Sequence, residues 1–115
     1  MDILNIYPET LKENKEAIYA LCMTDSLSVK DCVGQTLEVK AFCLYTETNA
    51  DGGESEVLSI ATDCGVIGTI SPTFKREFAK IVDLMDGNFK IDILSGQSKG
   101  GRTFVSCKLH TEFSW

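Results

Sequence analysis

Arg102, Phe104 and Lys108 stand at even spacing in a stretch that alternates between apolar and polar residues. In a strand, alternate residues point to the same side, so all three would share one face. An apolar ring bracketed by cations suits a polyanion that carries flat rings: the ring stacks, and the cations meet the charge. Lys99 lies just upstream in Ser95-Gly96-Gln97-Ser98-Lys99-Gly100-Gly101, whose length and glycine content predict a mobile loop. Lys40 and Phe42 repeat the cation–ring spacing on an earlier stretch, and Tyr45 lies near its end. Any one of these rings could equally be core; the set Arg102, Phe104 and Lys108 is what points to a surface.

The charge balance narrows the partners. Net charge is −6, with residues 1–70 at −8 and residues 71–115 at +2. Global acidity disfavours indiscriminate binding to polyanions but allows a local basic strip on the second half. Cys22, Cys32, Cys43, Cys64 and Cys107 are odd in number and widely spaced, and His110 is the only histidine. That pattern supplies no zinc-type ligand set and predicts reduced structural thiols. The acidic residues around Asp51 do not follow a calcium-loop spacing either. Neither a metal nor a cofactor is expected. No nucleophile elbow, P-loop or dinucleotide fingerprint is present, so no catalytic role is expected.

The elements that must position these residues can be read in order. Residues 9–23 carry Leu11, Ile18, Leu21 and Cys22 near helical spacing, after Pro8 and Glu9. Residues 36–46 read as a long strand with Leu37, Val39, Ala41, Cys43 and Tyr45 on one face and Glu38, Lys40, Phe42 and Leu44 on the other. Residues 47–56 read as a loop, and residues 57–62 and 66–70 as two short strands about an Asp63-Cys64-Gly65 turn. Ser71 and Pro72 open a second helix whose apolar stripe is Phe74, Phe78, Ile81, Val82 and Met85, with Gly87 as its stop. Phe89, Ile91 and Ile93 then alternate with Lys90 and Asp92 as a strand. The return strand places Thr103, Val105, Cys107 and Leu109 toward the core.

This order predicts a mainly β, α+β fold: a five-stranded OB-like barrel with a helix between strands 3 and 4 and an extra N-terminal helix. One domain spans 1–115, with residues 1–34 as an N-terminal helical cover and 36–109 as the barrel. The first residues lack a signal-peptide pattern and no apolar run is long enough to span a bilayer, so a cytoplasmic protein is expected.

With that layout, the chain resembles the small single-stranded-DNA-binding proteins encoded by bacteriophages of Gram-positive hosts. The likeness is carried by Asp31-Cys32-Val33-Gly34-Gln35, Cys43-Leu44-Tyr45, Ser71-Pro72-Thr73-Phe74 and Gly96-Gln97-Ser98-Lys99-Gly100-Gly101-Arg102-Thr103-Phe104. It implies an OB-fold that coats single-stranded DNA without sequence preference during phage replication or recombination, in the cytoplasm of the bacterial host. Single-stranded DNA is then the main partner, with replication proteins and further copies of the chain beside it. One departure is the end, Glu112-Phe113-Ser114-Trp115, where many such proteins carry an acidic recruiting tail.

Two other readings stand beside this one. Glu47, Asp51, Glu54 and Glu56 suggest an acidic protein-interaction module, such as a phage inhibitor that mimics nucleic acid to bind a host protein. Phe113 and Trp115 suggest a homo-oligomer.

Overall fold

The longest strand organises the sheet, because both of its edges are shared. In the computed structural model, which describes residues 1–115, this strand, β3, runs Thr36–Thr48. Along one edge it pairs with β4 (Glu54–Thr62). Along the other it pairs first with β6 (Phe89–Gln97) and then, past residue 41, with β1 (Asp2–Tyr7). Outside β4 lies β5 (Gly65–Thr69), flanked by the parallel two-residue β2 (Leu27–Ser28); outside β6 lies β7 (Thr103–Leu109). The result is one curled seven-stranded sheet in the order β2-β5-β4-β3-β6-β7, with β1 also on β3. Two helices, α1 (Lys15–Cys22) and α2 (Pro72–Leu84), complete a mixed α+β fold. Neither is long and apolar enough to cross a membrane.

The helix between β5 and β6 forms where the sequence predicts it. Ser71 Oγ accepts the Phe74 N–H at 3.4 Å, and Pro72 occupies the first turn, where its missing donor costs nothing. The helix ends at Leu84, ahead of the expected stop; Gly87, at φ +82°, shapes the turn that follows. Phe74, Phe78 and Ile81 bury against Leu37, Val39, Phe42, Leu58, Ile60, Ile67, Phe89, Ile91 and Ile93. Phe78 is the hub, edge-on to Phe42 at 5.2 Å and 6.0 Å from Phe89.

The N-terminal segment differs from the expectation of a purely helical cover. It contributes two strands beyond the expected five. β1 contains a register shift between Ile3 and Asn5, which erases the alternation a sequence pattern would show. Two residues of β2 are too few to carry a period. The first helix is also shorter than residues 9–23: a 3-10 turn spans Glu9–Glu13, and Asn14 restarts the chain as an N-cap, its Oδ1 accepting the Ala17 N–H at 3.0 Å. From there α1 lays Ile18, Leu21 and Cys22 over Cys43 and Tyr45, on the face of the sheet opposite α2.

All five cysteines are free thiols, and four are shielded to different degrees. Burial pushes the Cys107 thiol up to about 12 and raises Cys32 as well. The neighbouring Cys43 thiol, followed by burial, raises Cys22 too. Cys64 alone is exposed. A brief treatment with a thiol reagent at neutral pH should therefore add one label, at Cys64, against five after denaturation, as read by mass spectrometry.

Candidate nucleic-acid interface

The β6–β7 hairpin extends beyond the rest of the sheet. The pairing of β6 with β3 ends at Asp92 opposite Thr36, while β6 and β7 stay paired out to Gln97 and Thr103. The projecting arm closes on a short turn, not on the seven-residue loop expected: the Ser98 N–H donates to the Arg102 carbonyl, and the Gly101 N–H to the Ser98 carbonyl, both at 2.9 Å. Gly101 sits at φ +81°, a conformation that glycine adopts without strain. Lys99 and Arg102 at this tip are exposed, and neither forms an ion pair.

Phe104 lies beside them, opposite Gly96 in the ladder and 37% exposed. Its ring fills the space over the glycine: a β-carbon on residue 96 would stand 2.8 Å from Phe104 Cζ. Glycine is thus what lets the ring lie across the strand. Leu94, opposite Ser106 and 38% exposed, shares this face and widens the apolar surface. Leu94 has the same parity as Asp92 and the opposite parity to Ile91 and Ile93, so the strand alternation is the signal in the sequence that places it on this face.

Lys108 is on the same face but in a different electrostatic setting. It lies directly opposite Asp92. The Thr36 hydroxyl donates to Asp92 Oδ1 at 2.6 Å, and His110 Nδ1 lies 3.0 Å from the same oxygen. The Thr36 hydrogen bond, with His110 and Lys108 nearby, holds the Asp92 carboxyl below its ordinary range. A carboxylate whose value is lower in the folded state stabilises the fold above its unfolded value, and that gain is lost as pH falls through the lowered one. Asp92→Asn should therefore lower the thermal midpoint at neutral pH, with the gap to the wild type closing below about pH 4. A gap that stayed constant with pH would count against the pairing.

The other three candidates do not join this surface. Lys40 is exposed, but it sits where β3 meets the start of β6, on the order of 25 Å along the strand from the tip. Phe42 is 3% exposed in the main core and Tyr45 5% exposed under α1, so neither ring is available for stacking. A bulge causes the discrepancy. The register with β4 shifts between Val39 and Ala41, leaving Lys40 as an extra residue. Past that point the parity inverts, so Phe42 turns inward with Leu37 and Val39, while Cys43 and Tyr45 turn to the opposite face. Tyr45 Oη donates to the Cys22 carbonyl at 3.0 Å, tying α1 to the sheet.

The acidic residues do not form one cluster. Asp51 Oδ1 accepts the Gly53 N–H inside the β3–β4 turn, and Glu56 pairs with Lys75 at 3.9 Å. Glu47 instead lines an open groove of about 700 Å³ between the end of α1, the segment leading into β2, and the outer face of β3, β4 and β5. Asp25 is the second carboxylate in that groove, and no cation lines it.

Comparison with known proteins returns no matching family model, no matching curated protein and no matching solved structure. The chemistry of the arm therefore carries the functional reading.

Proposed function

We propose that this chain is an OB-like protein that binds single-stranded DNA without sequence preference, in phage DNA replication or recombination, with the β6–β7 arm as its contact surface. The OB-like reading takes β3, β4, β5, β6 and β7 as the five barrel strands, with α2 between the third and fourth and α1 as an addition outside. The observation that carries the proposal is the arm itself: two cations free of ion pairs, Lys99 and Arg102, beside the half-exposed ring of Phe104. Cations satisfy phosphates in any sequence, and a ring stacks on any base, so this surface tolerates sequence and favours an unpaired strand. Leu94 adds apolar area for a second base.

Titration of a fluorescent oligo-dT at two salt concentrations tests the proposal. Binding should weaken as salt rises and should exceed binding to duplex of the same length. A preference for duplex, or affinity indifferent to salt, would remove it.

One observation favours the alternative, an acidic module that binds a protein. The groove beside α1 carries Asp25 and Glu47 with no cation, which suits a basic ligand. Retention of a host protein in one-to-one ratio from nuclease-treated lysate, with no binding of oligo-dT, would support that reading over the first.

A further inference from the structure

The geometry points to a head-to-tail contact between copies of this chain, in which the β6–β7 tip of one copy enters the groove beside α1 of the next. Both halves of the contact are present in one molecule and are chemically complementary. The groove holds the carboxylates of Asp25 and Glu47 and the hydroxyls of Ser26, Ser28 and Ser59. Around it stand Met23, Leu27 and Ile70, each more than half exposed. The tip offers Lys99 and Arg102 without partners, next to the exposed Phe104 and Leu94. Gly100 and Gly101 carry no side chains and keep the tip narrow.

The tip does not satisfy its own groove. None of its residues lines that cavity. The arm leaves the sheet past the Thr36 end of β3, whereas the groove is built on Tyr45 and Glu47 toward the other end, ~30 Å along the strand. A contact between two different patches at opposite ends of a molecule is not two-fold symmetric, so it propagates as an open chain unless the rotation closes a ring. Two pairs of exposed charges make assembly sensitive to ionic strength, because the screening length shortens from about 10 Å at 0.1 M salt to about 3 Å at 1 M.

This contact uses the same tip as the nucleic-acid reading but does not depend on it, so the test begins without DNA. In sedimentation velocity at low salt, the average mass of the wild type should rise with concentration above the 12.7 kDa of one chain and return toward it at high salt. The double variants Lys99→Glu/Arg102→Glu and Asp25→Lys/Glu47→Lys should each stay monomeric. Mixed together they should associate, because each supplies the charge the other lacks. All four residues are exposed, so folding should survive; the milder pairs Lys99→Gln/Arg102→Gln and Asp25→Asn/Glu47→Gln serve if it does not. A wild type that remains monomeric at all salts overturns the inference. So does a mixture that stays monomeric while the wild type associates. Oligo-dT then separates the two proposals. If it disperses the assembly, the tip serves both ligands; if it leaves the assembly intact and unbound, only the nucleic-acid reading falls.

Discussion

Replacing Phe42 with alanine should lower the stability of this protein by about 3–5 kcal/mol, while Phe104→Ala should cost about 1 kcal/mol or less. The two rings look alike in the sequence, each two residues from a cation, and the fold separates them completely. Phe42 is 3% exposed, stacked on Tyr7 at 5.9 Å and met edge-on by Phe78 at 5.2 Å. Its removal leaves a cavity lined by residues of β1, β3 and α2, and those elements cannot close it without breaking the β3 ladder. Phe104 covers a glycine at the edge of the sheet and loses only a partial burial. Urea unfolding of the two variants measures the difference. In binding the order should reverse: Phe104→Ala should weaken single-stranded DNA by ~1–3 kcal/mol, the value of one stacked base. A stable Phe42→Ala with impaired binding would mean that the first ring, not the second, meets the ligand.

Charge reversal at the arm tip should have the largest effect on binding. Lys99→Glu/Arg102→Glu is expected to reduce affinity for oligo-dT at least tenfold, about 1.4 kcal/mol. Each phosphate contact contributes roughly 0.7 to the slope of log affinity against log salt for a single strand, so losing two should flatten that slope by about 1.4. Stability should be unchanged, because neither residue forms an ion pair or is buried. Lys40→Glu is the internal control. It inverts the same charge on an exposed site on the order of 25 Å away and should leave both affinity and slope nearly intact. Equal losses from Lys40→Glu and from the tip variant would mean that net charge alone governs binding, and the arm would lose its special role.

These two experiments also mark where local pattern stops being informative. The helix from Pro72 was legible because its signals are short-range: a capping serine, a proline at the first turn and apolar residues recurring on one face. The alternation of Phe89, Ile91 and Ile93 was legible for the same reason, since each residue's side is fixed by its neighbours in a regular strand. The exposed face of β7 followed from that alternation, and so did the grouping of Arg102 with Phe104.

By itself, then, the sequence determined the order of helices and strands from residue 36 onward, the apolar stripe of α2, and the polar face of the last hairpin. Tertiary structure decided the rest. A single inserted residue at Lys40, imposed by pairing with β4, inverted the parity of β3 and moved Phe42 and Tyr45 from a proposed surface to two separate cores. Pairing with β3 also made a strand of residues 2–7, whose own pattern is irregular. Carboxylates of one sequence segment were dispersed in the same way, with Glu56 drawn to Lys75 and Glu47 turned into the groove. In each case the deciding interaction joins residues far apart in the chain: a strand register is a property of two strands, and neither carries it alone.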